Sequence, residues 1–517
     1  MEGAELTSQT SYAESMAWAG ASFLVLASLA VVSSIVTARI YGVRILGEFA
    51  LVTAAVNALM ILSTARERPA LVRELTKLPP RSPRVSGLFF SVLGFSTALS
   101  VVVGAILTVV GYFVFHGPLD QPDLFVPALV AMVGFVLFEN INGNVDGVLA
   151  AFHAARELFY LRLGQALLLF AISLVLGLQD TNVWWLVVAT VASSAAALAA
   201  RFFVIRKYVA LRTPMEEVRA GMHDLPEIVK FGLKLMPGSL ADGAGNESGT
   251  WILGFTSSIA AVGAYSRAWI IAKQIMFLNV RINEMLFPTL VQRRHIGDDA
   301  GFDRALVDTL RYSAIALFAV AAMLGGAATG IMALFGQGFA QADTAMAALA
   351  VVPGLLTMAM ILRHALYAYD KPWTTTISAF LRMSSTIGLG IALSLTLGIE
   401  GPAIALILGL CVDIAYSSFH LRSHLTTPLR SLWPRREMLG LVVAYATGFA
   451  AAHFVYAAVP RLLGLVISLA VGALTYVTVL GAVGGLSDRD RDRGRQAWHR
   501  LRSSRLIPSG RQVTSRP

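Results

Sequence analysis

The chain is a succession of apolar runs of about 20 residues with short polar breaks between them, and a hydrocarbon layer roughly 30 Å thick selects that length for a crossing helix. In the first half the runs lie near 17 to 39, 47 to 64, 86 to 114, 124 to 150, 157 to 178 and 183 to 204. A polar stretch from Arg206 to Glu227 follows, and then runs near 229 to 254, 259 to 288, 309 to 335, 342 to 369, 372 to 397 and 400 to 421, with two more near 437 to 459 and 462 to 484. Numbered in chain order, they are spans 1 to 14. Hydrophobic residues fill 56% of the 517 positions and charged residues only 14%, too apolar for a surface that faces water, so the bilayer is the solvent. The expected fold class is all-α integral membrane, with about 14 transmembrane helices. The first run, Ala17 to Ala38, is longer than the apolar core of a secretory signal and lacks a basic segment before it, so it should remain as the first membrane helix.

Lysine and arginine give the orientation, because cationic loops resist export. The breaks after spans 2, 4, 6, 8, 10 and 12 are basic, with Arg66 to Arg84, Arg156, Arg206 to Arg219, Arg293 to Arg304, Lys371 and Arg422 to Arg436. Of the opposite breaks, Gly117 to Asp123, Gln179 to Asn182, Gln337 to Gln341 and Gly398 to Gly401 hold no lysine or arginine, while the one after span 1 keeps Arg44 and the last one Arg461. Both termini are therefore expected in the cytoplasm, with the protein in the cytoplasmic (inner) membrane. The net charge of +10 sits in these breaks and in the tail, which leaves no basic domain for nucleic acid. Cys411 is the single cysteine, so no intramolecular disulfide or thiolate cluster can form.

The two halves echo each other. Gly47-Glu48-Phe49 opens span 2, with Pro69-Ala70-Leu71-Val72 and Arg73 after it; Gly263-Ala264-Tyr265 opens span 8, with Pro288-Thr289-Leu290-Val291 and Arg293 after it. Six spans, an even number, separate the copies, so the expected plan is two parallel six-helix lobes about a pseudo-twofold axis along the membrane normal, plus two C-terminal helices. The expected units are an N-terminal lobe at 1–205, a cytoplasmic linker at 206–228, a C-terminal lobe at 229–425, helices 13 and 14 within 426–486 and a basic cytoplasmic tail at 487–517.

Ala38-Arg39-Ile40-Tyr41-Gly42 followed by Leu46-Gly47-Glu48-Phe49, then Val262-Gly263-Ala264-Tyr265-Ser266-Arg267-Ala268 ending in Leu286-Phe287-Pro288, form an ordered series of landmarks. Leu334-Phe335-Gly336 with Phe339, and Gly398-Ile399-Glu400-Gly401-Pro402-Ala403, continue it. In order and spacing this series, covering most of residues 15 to 425, resembles the Wzx-type polysaccharide flippases of the multidrug/oligosaccharidyl-lipid/polysaccharide exporter superfamily. The resemblance implies a central cavity between two lobes, exposed alternately to each side, and an undecaprenyl-diphosphate-linked oligosaccharide as substrate. It also implies a role in surface polysaccharide biosynthesis, beside polymerase or ligase machinery. The related lipid II flippases share the plan and the two extra helices, but their cationic residues on helices 1 and 2 have no clear match, since span 1 carries no charge before Arg39.

Transport of this kind needs no nucleophile, metal or cofactor; it needs a polar path through a layer that penalises a buried ion by roughly 2.5 to 3.5 kcal/mol or more. Span 7 holds Lys234, Asp242, Asn246 and Glu247 among Pro237 and several glycines, with Asp242 and Asn246 on one face. Such a broken helix either binds ligand through freed backbone groups or packs closely through its small residues. Span 8 puts Arg267 and Arg281 on one stripe and Lys273 and Glu284 on another; Arg267 lies deep, whereas Arg281 is placed to snorkel and to pair with Glu284. A cationic stripe suits a diphosphate.

Arg382 and Asp413 both fall near mid-membrane and are placed to pair with each other or to couple an ion, H⁺ or Na⁺. Span 4 carries Glu139, Asn140, Asn142, Asn144 and Asp146, a polar run that either meets sugar hydroxyls through Glu139 and Asn142 or bonds neighbouring helices. The expected substrate-binding set is therefore Lys234, Arg267, Asp242, Asn246, Glu139, Asn142 and Arg39. The segment from Met215 to Ile228 is expected as a short linker helix along the membrane, and the tail, with Trp498, Leu501 and Leu506 among arginines, either lies on anionic membrane lipids or stays solvated.

No Gly-x-x-x-x-Gly-Lys-Ser/Thr loop and no His-Glu-x-x-His spacing occurs, and the nine histidines are scattered, so neither direct ATP drive through that motif nor a metal is assigned. Every outside break is short, which excludes a membrane glycosyltransferase with an extracytoplasmic domain. An ion-coupled drug or organic-cation antiporter would want an anionic or aromatic cavity, against which Arg39, Lys234 and Arg267 argue.

Overall fold

The computed structural model describes residues 2–63, 67–210, 212, 214–428, 434–483 and 485, with the side chains of 2–23, 67–70, 231, 234–235 and 277–285 excepted. Among the described residues every regular element is a helix. The first half consists of α1 (Glu2–Leu62), α2 (Glu67–Leu75), α3 (Pro83–His116), α4 (Phe125–Gly134), α5 (Asn140–Ala151), α6 (Ala155–Gln179) and α7 (Val183–Ile205). The second half runs through α8 (Met215–Thr256), α9 (Ile259–His295), α10 (Asp299–Gly326), α11 (Ala328–Phe335), α12 (Asp343–Leu349), α13 (Val352–Ala368), α14 (Pro372–Leu397) and α15 (Gly401–Leu421). Finally α16 (Arg435–Ala458) and α17 (Leu462–Ala482) pack on the flank of α10, where the Tyr476 hydroxyl donates to the Ile315 carbonyl at 2.9 Å.

Helix starts are written locally. Ser82, Asn182, Ser258 and Asp298 each accept a backbone N–H from the first turn that follows, and Pro83 occupies the opening turn of α3, where no N–H is missed. Helix ends are marked by glycine: Gly42 (φ 74°) kinks α1 and Gly398 (φ 63°) ends α14, a backbone region that a side chain disfavours.

Ten described segments are long and apolar enough to cross a membrane. Two of them, Leu24–Leu62 and Pro372–Leu421, have 39 and 50 residues, roughly twice what one crossing needs, and break at Gly42 and Gly398. The charged helices α8 and α9 are not among the ten. Fourteen crossings would follow if each double-length segment crosses twice and α8 and α9 cross once each. Outward faces agree with a lipid solvent: Val101, Val102, Ile106, Val109 and Phe113 of α3 are each more than half exposed.

Apolar packing differs between the two ends of the bundle. Away from the basic loops one core joins the halves, with Tyr41, Leu46 and Leu51 of α1 beside Val262, Tyr265 and Trp269 of α9 and Phe335 of α11. Towards the basic loops there are two separate cores, one around Leu71, Val85, Val148 and Val209 and the other around Leu290, Phe302, Ile361 and Leu421. Among the described residues the apolar core is thus joined at one end, the sealed end, and split in two at the other, the divided end.

The seal explains the sequence echo. A Cβ on Gly47 would lie 2.0 Å from the Ile259 carbonyl oxygen, and a Cβ on Gly263 would lie 2.0 Å from the Val43 carbonyl oxygen. Val43 and Ile259 each precede the paired glycine by four positions, so the two contacts are equivalent ones seen from opposite halves, as an isologous contact about a twofold requires.

Three expectations need correction. The linker helix expected over Met215 to Ile228 is not separate: α8 runs unbroken from Met215 to Thr256 through Pro226 and Pro237. Its first turns are pinned to the first half, with Gly221 against the Gly87 carbonyl, Ser91 Oγ donating to the Val218 carbonyl at 2.9 Å, and Arg84 paired with Asp224 at 3.1 Å. Span 9 breaks at Ala327 into α10 and α11, and span 4 is interrupted by a π turn at Phe135–Glu139. The amphipathic tail at 487–517 lies outside the described residues.

Candidate functional site

Among the described residues, Arg267 is a cation without a counter-charge on the α1–α9 seam between the halves. Arg267 lies eight residues into α9, about 12 Å along its axis, and is only 7% exposed. Its Nη1 donates to Ser34 Oγ of α1 at 3.1 Å and its Nε to Ser266 Oγ at 3.4 Å. Among the described residues no carboxylate comes within ion-pair distance of it. A guanidinium with spare donors and no counter-charge, in a low-dielectric setting, is a strong attractor for a phosphate oxygen. Deeper along the seam Glu247 of α8 is already engaged, accepting Lys273 Nζ at 2.6 Å and Asn57 Nδ2 of α1 at 3.2 Å. Lys273 also sits over the Trp269 ring at 5.4 Å.

The second half contains a closed charge network. The guanidinium of Arg363, on α13, reaches both Asp413 oxygens with Nε and Nη2 and both Asp242 oxygens with Nη1, the latter at 2.8 Å. Arg382 Nη2 donates to the Asp242 carbonyl at 2.9 Å and lies 3.0 Å from its carboxylate. Ser378 and Ser417 complete the shell of Asp413 through their hydroxyls. Two acids and two bases from α8, α13, α14 and α15 therefore neutralise one another, with Asp413 and Arg382 fully buried and Asp242 partly open. The direct Arg382–Asp413 pair expected from the sequence is not formed; Arg363 takes Asp413, and Arg382 turns to Asp242. Asn246, one turn after Asp242, has a buried Oδ1 without a partner, and so do Nε and Nη1 of Arg382.

The first half has its own network around the π turn, whose extra residue re-aims the side chains that follow. One oxygen of Glu139 accepts Ser194 Oγ at 2.9 Å, Gln165 Nε2 at 3.1 Å and Asn142 Nδ2 at 3.5 Å. Asn142 also donates to the Ser194 carbonyl at 3.0 Å, and Asn140 and Asn144 both donate to Ser96 of α3. Towards the basic end Asp146 receives Arg201 at 2.8 Å and Arg162 at 3.1 Å, while Arg201 Nη1 reaches Gln165 at 3.0 Å. Of the two readings of span 4, interhelical bonding accounts for Asn140, Asn142 and Asn144.

The remaining expected residues are scattered. Arg39 is exposed and donates to the Leu334 and Ala333 carbonyls at the end of α11, a cation at a helix C-terminus. The side chains of Lys234, Arg281 and Glu284 lie outside the described residues. Sequence reasoning missed Arg363, Arg201, Gln165 and Arg162. Arg363 and Arg201 stand near span ends, where a lone arginine reads as snorkelling; the signal that could have found Arg363 is arithmetic, since Asp242 and Asp413 are two intramembrane acids that Arg382 alone cannot neutralise. Among the described residues no group of histidine, cysteine, aspartate or glutamate could hold a metal ion.

The fold is found in solved transporters. A lipid II flippase, MurJ, in an inward closed conformation superposes with a TM-score of 0.67 over 89% of this chain and 97% of its own, at 13% identity. An inward-facing MATE multidrug-resistance transporter gives 0.60 over 79% and 95%, at 15% identity, and a transporter of the same superfamily from Pyrococcus furiosus gives 0.55 over 80% and 94%, at 14% identity. No curated protein matches the chain. At the sequence level residues 13–293, more than half of the chain, match the family model described as polysaccharide biosynthesis protein. That family and these neighbours are flippases and transporters, not enzymes. The chain belongs to the polysaccharide biosynthesis protein family, the flippase branch of the multidrug/oligosaccharidyl-lipid/polysaccharide exporter superfamily, and is a multi-pass membrane transporter.

Proposed function

We propose that the protein flips an undecaprenyl-diphosphate-linked oligosaccharide from the inner to the outer leaflet of the cytoplasmic membrane by alternating access, for surface polysaccharide biosynthesis. The observation that carries this reading is Arg267, a deep cation on the seam with only hydroxyl partners. A diphosphate entering between the halves gains charge-assisted hydrogen bonds there, while its polyprenyl tail stays in lipid. Lys234 is the second phosphate attractor in this scheme, and Asn246 and Glu139 serve the sugars. Asp242, partly open beside Arg363, takes the sugar or the coupling cation, H⁺ or Na⁺. With the termini and basic loops in the cytoplasm, the divided end faces the side on which such a substrate is made. Polymerase or ligase machinery would receive the product.

Depletion tests the reading directly. Cells lacking the protein should accumulate one lipid-linked glycan on the inner leaflet, identified by mass spectrometry of extracted lipids. If no such glycan builds up and resistance to organic cations falls instead, the antiporter reading replaces this one.

A further inference from the structure

Far from the seam, at the basic end of the second half, a hollow of about 270 Å³ is lined by Lys371, Thr374, His420, Arg422, Ser423 and His424 together with apolar side chains. No carboxylate lines it. Lys371 is the residue before α14, and no side chain caps that helix, so its positive end opens here. Arg422 lies over the Phe419 ring, 3.8 Å from its centre, and among the described residues neither it nor Lys371 meets an acid. Burial, and after it Lys371 and Arg294, hold His424 below the ordinary histidine range.

Solvated surface cations would need nothing more, but a second hollow adjoins this one. Phe419 also lines an almost wholly apolar groove of about 630 Å³ between α10, α15 and α16, which reaches Cys411, about 12 Å deeper along α15. Beside the polar hollow Trp373 is 74% exposed, and Ile377 and Phe380 continue an apolar face down α14. A cationic pocket at the depth of the headgroups, joined to an apolar slot running towards mid-membrane, has the shape and polarity of an amphiphile with an anionic head.

We propose that the two hollows bind one resident anionic phospholipid, its phosphate between Lys371 and Arg422 at the start of α14 and an acyl chain past Phe419 into the groove. This site lies outside the transport seam and stands whether or not the flippase reading holds. The experiment is native mass spectrometry of the full chain titrated with phosphatidylglycerol, phosphatidylcholine or inorganic phosphate. Phosphatidylglycerol should occupy one site, which Lys371→Gln with Arg422→Gln weakens roughly 30-fold, at about a tenfold factor per 1.4 kcal/mol and about 1 kcal/mol per charge. The charge-preserving pair Lys371→Arg with Arg422→Lys should keep it, and Cys411→Trp, which fills the groove, should lose it. Undiminished phosphatidylglycerol binding in the glutamine variant, or equal binding of phosphatidylcholine, overturns the site. Displacement of the lipid by millimolar inorganic phosphate would assign the pocket to a soluble anion and overturn the lipid.

Discussion

The charge network of the second half and the α1–α9 seam solve the same problem in opposite ways. In the network, Arg363 and Arg382 are matched by Asp242 and Asp413, and serine hydroxyls fill the remaining positions around Asp413. On the seam, Arg267 is almost as buried, yet among the described residues it faces only Ser34 and Ser266. Burying a charge is tolerable when its partner is buried with it, and a charge left without one is a cost that folding alone does not repay. The number of intramembrane charges therefore says little about where a ligand binds. The missing counter-charge says more, and it points to the seam.

If this contrast is right, removing one member of the network should hurt stability most. Arg363→Met strands Asp413 and should lower unfolding stability by about 3–5 kcal/mol, seen as a fall in thermal unfolding temperature in detergent; adding Asp413→Leu should restore much of it. Arg267→Met should cost far less, because it strands no acid. Equal losses from Arg363→Met and Arg267→Met would erase the distinction between the two regions. A smaller effect tests the seal on which the seam depends: Gly47→Leu and Gly263→Leu should each destabilise the sealed end by about 1–3 kcal/mol through overpacking. Because the two contacts are equivalent, both should raise the labelling rate of a cysteine placed at Ala264, buried in the seam, to a similar degree. A large effect from one glycine and none from the other would break the twofold relation.

Much of the fold was legible because lipid imposes one length and one polarity on every crossing, and glycine marks the breaks at Gly42 and Gly398. The echo of Gly47 and Gly263 was legible as a repeat, and its reason, reciprocal close contact, appeared only in three dimensions. Pro237 misled, since it was read as breaking span 7, whereas α8 continues through it and through Pro226 while packing against α3 and α14. Of the ion pairs the sequence carried only the arithmetic, two intramembrane acids against Arg382, and not the partners. Which base meets Asp413 depends on helix rotation and depth, and residue counting from one hairpin turn could not see Arg363 arriving from α13. Span 4 showed the converse error, a polar run that looked like a lining and is partly glue between helices.

Purified protein in vesicles loaded with a labelled undecaprenyl-diphosphate oligosaccharide provides the most direct test. Flipping should be lost in Arg267→Ala and at least partly kept in Arg267→Lys, with thermal stability and membrane insertion unchanged in both. Flipping at the wild-type rate in Arg267→Ala would show that the bare cation on the seam does not serve the substrate, and the proposed route between the halves would fall with it.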